Sequence, residues 1–208
     1  MIICWAAKGG SGTTVVACAL AVSARRTESS TLVDLGGDCA TALGLDEPAG
    51  PGVAEWMASP TAGPTELTRL AVTIRDQVRL IPRGIAVPPD DQWARLAVAL
   101  GGLENVVIDA GTGCPPLALR EAADQSLLVT RPCFIAIRRA QQLSIRPTGV
   151  VLVDEPGRAL TSRDVENALG VPVVAEVRVD PAVARAVDAG LLLARLPKSL
   201  IASLRSAA

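Results

Sequence analysis

Runs of strand length that are apolar at nearly every position recur along this chain: Ile2 to Ala6, Thr31 to Leu35, Val78 to Pro82, Asn105 to Ala110, Ser126 to Thr130, Gly149 to Val153 and Val171 to Val177. A strand with no polar face must be covered on both sides, as in a parallel sheet flanked by helices. Between the runs lie segments with helical spacing: Thr13 to Arg26, Asp90 to Leu100, Leu117 to Ala123, Phe134 to Leu143, Thr161 to Leu169 and Pro181 to Ala189. Thr161 and Asp164 have the spacing of a capping box at one of the starts. The alternation predicts an α/β fold: a doubly wound, mostly parallel sheet with helices on both faces. The Pro- and Gly-rich stretch from Asp46 to Thr65 reads as a surface excursion with a short helical piece, Val53 to Ala58, that carries Trp56. Pro197 opens a last helix running through Ser206. With 208 residues, 50% of them hydrophobic, residues 1–208 are expected to form a single domain around one substantial core.

Composition narrows the chemistry. There is no histidine, which excludes His-dependent triads, His-ligated zinc and imidazole bases and leaves carboxylates, hydroxyls, lysine, thiols and backbone amides. Lys and Arg total 20 against 21 Asp and Glu, so no global charge calls for a polyanion. Aromatics are 2%, too few for base-stacking platforms or a membrane belt. Cys4, Cys18, Cys39, Cys114 and Cys133 contain no C-x-x-C pair, which fits reduced thiols. No signal peptide or membrane-length apolar run is legible, and a soluble, cytoplasmic protein is expected.

The strongest local signal is Ala7-Lys8-Gly9-Gly10-Ser11-Gly12-Thr13-Thr14, directly after the first strand and directly before the first helix. Glycines let successive N–H groups turn inward as an anion nest, and the helix N-terminus adds its amides and dipole at the same place. A nucleotide phosphate is the expected ligand.

This loop resembles the deviant Walker A motif, K-G-G-x-G-K-[S/T], of the ParA and MinD family of P-loop ATPases, and the resemblance runs along essentially the whole chain. Val33-Asp34 stands where the family has its first switch; Val107-Ile108-Asp109-Ala110-Gly111 resembles its Walker B strand leading into the second switch. Ala123 to Pro132 is similar to the next strand and turn, Gly170 to Val174 to a late strand, and Asp180-Pro181-Ala182-Val183 to the nucleotide-base loop. Within the family, the chain resembles TadZ and CpaE of Tad-pilus systems and septum-site-determining proteins. The resemblance implies ATP and Mg²⁺ as cofactors, held by Lys8, Gly9, Gly10, Ser11, Gly12, Thr13 and Thr14, with Asp180 and Pro181 at the base. It implies Thr14 and Asp109 as the metal-binding pair, and Lys8, Asp34 and Asp109 as the residues that serve hydrolysis. Lys8 would be the signature lysine that reaches a partner's phosphates across a nucleotide-dependent homodimer.

The departures carry as much information. Thr13 stands where the family has the general P-loop lysine, Ala7 replaces the common first glycine, and Asp34-Leu35-Gly36 puts glycine where many relatives have a second acid. A hydroxyl donates a hydrogen bond but brings no charge to the phosphates, so hydrolysis is expected to be slow or absent. Val153-Asp154-Glu155 lacks the family's base-reading Asn.

Other features favour ordinary roles. Arg131, Arg138, Arg139 and Arg146 could meet nonspecific DNA, but an Arg-rich face is more often solvated or paired. The last helix, Lys198 to Arg205, has an apolar face suited to docking on the domain more than to a peripheral membrane. Cys39, Cys114 and Cys133 could meet near the nucleotide edge but read as buried or incidental thiols. The function expected from these residues is an ATP-binding, dimerising positioning switch, with a protein partner in a localisation, secretion or pilus system at a pole or septum. A nucleotide-independent or nucleotide-locked scaffold is the alternative, and a metabolic P-loop enzyme fits the double glycine less well.

Overall fold

The computed structural model describes residues 1–23, 29–46, 49–143 and 145–207. Its strands are β1 (Ile2–Ala6), β2 (Ser30–Asp34), β3 (Val72–Arg75), β4 (Val78–Ile81), β5 (Val106–Thr112), β6 (Gln125–Thr130), β7 (Gly149–Asp154) and β8 (Val173–Arg178). The helices are α1 (Thr13–Ser23), α2 (Cys39–Leu43), α3 (Val53–Ala58), α4 (Pro64–Arg69), α5 (Trp93–Gly101), α6 (Leu117–Ala122), α7 (Phe134–Gln142), α8 (Ser162–Leu169), α9 (Pro181–Asp188) and α10 (Lys198–Ser203). The expected end of the first helix, at Arg26, lies outside the described residues.

All eight strands form one sheet in the order β3-β4-β2-β5-β1-β6-β7-β8, parallel throughout except for the antiparallel β3–β4 edge. β1 lies between β5 and β6 and the chain winds outward in both directions from it, which is the doubly wound arrangement. Ligands in such sheets sit beyond the carboxyl ends of the strands where the winding reverses, and the β1–α1 loop is at that place. The strands are apolar on both faces because both are covered. One layer packs Val16, Leu20, Leu32, Leu80, Leu127 and Val151 with Leu192, Leu200 and Leu204, while another packs Ile3, Val33, Trp56, Leu67, Ile81, Leu96 and Ile108.

Several boundaries differ from the sequence expectation for physical reasons. β3 carries a mostly exposed edge, so its residues show no apolar run. Gly170 takes a left-handed φ of 68° to end α8, which delays the last strand to Val173. Asp90–Gln92 is a 3₁₀ turn leading into α5. The capping box at Thr161 and Asp164 is present, each residue bonding the other's backbone N–H. α10 is shorter than expected, and Leu200 within it and Leu204 at its C-cap are buried against the sheet layer.

One contact joins two distant turns. Gly44 ends α2 with φ 77°, and a Cβ there would lie 1.7 Å from the carbonyl oxygen of Gly190, the left-handed residue that follows α9.

Candidate functional site

The loop between β1 and α1 turns at Gly10 (φ 77°) and Gly12 (φ 94°), a backbone region that side chains bearing a Cβ rarely adopt. The Ser11 hydroxyl donates to the Lys8 carbonyl at 2.7 Å and closes the turn, and Val16 N–H bonds back to the Gly12 carbonyl as α1 begins. The loop opens onto a cavity of about 530 Å³ lined by Gly10 to Val15, by Leu35, Gly36 and Asp38, by Arg83, and by Ala110 to Thr112. Of the residues expected from the sequence, Gly10, Ser11, Gly12, Thr13 and Thr14 line it. Lys8 and Gly9 do not: Lys8 turns its ammonium to the Gly9 carbonyl at 3.3 Å, beside the cavity.

Asp34 and Asp109 face each other as register partners on the neighbouring strands β2 and β5. Asp34 accepts from Gly37 N–H at 2.6 Å and Cys39 N–H at 2.9 Å, so its carboxylate shapes the loop that follows it. Asp109 accepts from Gly111 N–H at 3.0 Å and from the Cys39 thiol at 3.5 Å. Its carbonyl takes Leu35 N–H and Gly36 N–H at 2.9 and 3.2 Å, which ties the loop after Asp34 to β5. Gly36 lies beside this pair: a Cβ there would stand in ordinary contact, 3.4 Å from the Asp109 Oδ2 and 3.5 Å from Gly111 Cα.

Both carboxylates are buried, and among the described residues no Lys or Arg lies within ion-pairing distance of either. Burial pushes the Asp109 pKa up, opposed by the Thr14 hydroxyl, Gly111 N–H and the Cys39 thiol. Burial raises Asp34 as well, against the Gly37 and Cys39 amides, with the charge of Asp109 adding to the rise. Asp34, Asp109 and Cys39 place one ligand atom each within 4.8 Å of one another. Two buried acids that no described cation pairs, with a hydroxyl beside them, form a donor set suited to a hard divalent ion.

Other expected features lie elsewhere. Asp180 accepts from Ala182 N–H at 2.7 Å as the cap of α9, with Pro181 at its first turn, and neither lines the cavity. Glu155 is held by Arg158 at 2.8 Å and lies 3.8 Å from Arg131. The cysteines do not gather: Cys39 is buried against Asp109, Cys114 is exposed in a second cavity, and Cys133 stands at the N-cap of α7. Within the Arg cluster, Arg146 bonds the Gly170 carbonyl and Arg138 reaches Gln141. Leu35 and Ala110 line both the first cavity and that second one, of about 680 Å³, whose rim carries Asp90, Asp91 and Glu121. Sequence reading misses Arg83 and Asp38 as cavity residues; no motif marks Arg83, which follows β4 like any loop arginine.

A doubly wound sheet with a glycine-turned loop before its first helix, and paired acids beside the cavity, defines a phosphate-binding nucleotide domain. Residues 2–193 match the CobQ/CobB/MinD/ParA nucleotide binding domain, and the chain belongs to that family. No curated protein matches the sequence closely enough to add to this. Among solved structures, a ParA family ATPase from Chlorobium tepidum superposes with a TM-score of 0.79 at 20% identity, over 98% of this chain and 94% of that one. The MinD cell division protein of Aquifex aeolicus gives 0.76 at 19%, over 98% and 94%. The septum site-determining protein MinD of Pyrococcus horikoshii, complexed with Mg-ADP, gives 0.75 at 16%, over 99% and 93%. These likenesses establish the fold.

Proposed function

We propose that this protein binds ATP with Mg²⁺ at the β1–α1 loop and acts as a dimerising positioning switch with slow or absent hydrolysis. The observation that carries the reading is the cavity onto which Gly10 to Thr14 open, with the buried pair Asp34 and Asp109 beside it. Amides of the loop and of the α1 N-terminus bind the phosphates, with Gly9 and Lys8 at the loop's outer end. Thr14 and Asp109 would hold the ion, Thr14 through its hydroxyl, and Mg²⁺ would supply charge neutralisation at the phosphates. Asp34 holds the loop from Leu35 to Cys39 in shape for a γ-phosphate to engage. Asp180 and Pro181 border the base through the turn that opens α9.

Lys8 is the deviant Walker A lysine in this reading. Its ammonium lies beside its own cavity, so its charge serves best when a second subunit brings a nucleotide opposite it. The dimer is therefore nucleotide-dependent, and its cargo is a protein partner at a pole, septum, secretion or pilus apparatus of the cytoplasm, the TadZ/CpaE-like setting included. DNA and membrane are not the favoured matrices: Arg131 and Arg146 bond within the fold and Leu200 and Leu204 are buried.

Sedimentation of wild type and Lys8→Ala, each with and without a nonhydrolysable ATP analogue, tests the reading. Wild type dimerises only with nucleotide, and Lys8→Ala loses the dimer while its monomer still binds the analogue. A dimer equally strong in all four samples favours the second reading, a scaffold uncoupled from nucleotide, which the buried, uncharged Thr13 and the glycine at position 36 support.

A further inference from the structure

We propose that Arg83 supplies the phosphate-neutralising charge that this chain's loop lacks at Thr13, so that triphosphate recognition is built from the end of β4 as well as from the β1–α1 loop. The inference rests on the nucleotide reading above and assigns to it a residue that no motif marks.

Three observations carry it. Among the described residues, Arg83 and Asp38 bring the only charged side chains to the cavity lining, so Arg83 is its single described cation. Among the described residues no carboxylate lies within 4.0 Å of the Arg83 guanidinium, which leaves its donors available to a ligand. Its side chain lies over the loop after Asp34: a Cβ on Gly37 would stand 3.4 Å from both Arg83 Cδ and Nη1.

The backbone that carries Arg83 is held on both sides. Val53 N–H and Ala54 N–H, at the start of α3, bond the carbonyls of Pro82 and Arg83 at 2.9 Å each. The Glu55 carboxylate then accepts from Ile85 N–H and Ala86 N–H at 2.8 Å and from Gly52 N–H at 2.7 Å. Gly52 and Gly84 touch through their backbones, at a distance that leaves no room for a Cβ on either. The Pro- and Gly-rich excursion thereby fixes the start of the loop from which the arginine projects. A guanidinium offers a planar fork that pairs with two phosphate oxygens at once, and a fixed backbone lowers the entropy lost when it does.

The test is calorimetric titration of MgATP, MgADP and AMP into wild type, Arg83→Ala, Arg83→Lys and Arg83→Ala/Thr13→Lys. Arg83→Ala should weaken MgATP at least tenfold, MgADP less and AMP less than twofold. Arg83→Lys should fall between wild type and Arg83→Ala, and Thr13→Lys should recover part of the loss by returning a cation to the loop. Glu55→Gln loosens the backbone that carries Arg83, so it should weaken MgATP in wild type and have little effect on nucleotide in the Arg83→Ala background. Wild type that saturates with MgATP while Arg83→Ala binds it equally well overturns this inference and leaves the nucleotide reading standing. An equal loss for all three nucleotides also overturns it, because a phosphate-directed charge cannot act on every ligand alike. Wild type that shows no MgATP binding overturns both.

Discussion

The guanidinium of Arg95 stacks over the indole of Trp56, 4.2 Å from the ring centroid, and donates to the carbonyls of Trp56, Met57, Ser59 and Ala62. One α5 side chain thereby closes the C-terminal end of α3 and the turn into α4. The orphan carbonyls of a six-residue helix need partners, and here a cation supplies them. Arg95→Ala should destabilise the domain by roughly 2–4 kcal/mol, since it removes several charge-assisted bonds and a cation–π contact together. Arg95→Lys should recover little, because an ammonium cannot present the same planar set of donors. Urea denaturation of the three proteins decides it; a lysine variant as stable as wild type would show that charge alone suffices.

The buried acids predict a pH dependence. A carboxyl whose pKa is raised in the folded protein binds more protons folded than unfolded, so stability falls as pH rises from the usual Asp value of 3.8 through the raised one and stays lowered above it. Asp109→Asn keeps an acceptor for Gly111 N–H and removes the charge. Without nucleotide it should raise the melting temperature at pH 7 by about 2–4 °C and flatten the fall in stability that sets in above the usual Asp value. The same substitution should abolish stabilisation by Mg²⁺ with nucleotide. Melting curves across this pH range, with and without MgADP, read both effects.

Turnover should be more than about a hundredfold below the ~10 s⁻¹ of a typical enzyme, because Gly36 offers no second acid and a cation outside the loop, at Arg83, stands in for the one missing at Thr13 in binding rather than in hydrolysis. Phosphate release under saturating MgATP measures this. Robust hydrolysis abolished by Asp109→Ala would show that other groups in the cavity replace those contributions.

Gly44→Ala should cost about 3 kcal/mol or more, since the new methyl would strike the Gly190 carbonyl from a left-handed backbone. Gly10→Ala meets nothing within 4 Å and suffers only the conformational penalty of its positive φ, about 1 kcal/mol. Chemical denaturation of the pair separates collision from strain.

The legible parts of this fold are those whose signal is local. β1, β5 and β7 are apolar on both faces and declare a covered sheet, and Lys8 to Thr14 reads as a phosphate loop because glycine spacing dictates backbone geometry. Thr161 and Asp164 bond three residues apart and are equally readable. Val72 to Arg75 is not, because an exposed edge strand has no buried face to pattern it. Asp34 reads as a strand-end acid; that its oxygens are taken by Gly37 and Cys39 depends on how the next loop folds. Arg83 owes its place to Val53, Ala54 and Glu55, about thirty residues earlier, and no sequence window contains that relationship.

The backbone collision avoided at Gly44 and Gly190 also works as a linkage. α2 starts at Cys39, where the Asp34 carboxylate grips the chain, and ends against the turn that closes α9. With no side chain between them to deform, α2 cannot advance toward α9 without pushing it. A shift that begins at the loop held by Asp34 would then be passed to α9, whose other end is capped by Asp180. Two turns far apart in sequence would in this way be geared to each other through backbone alone.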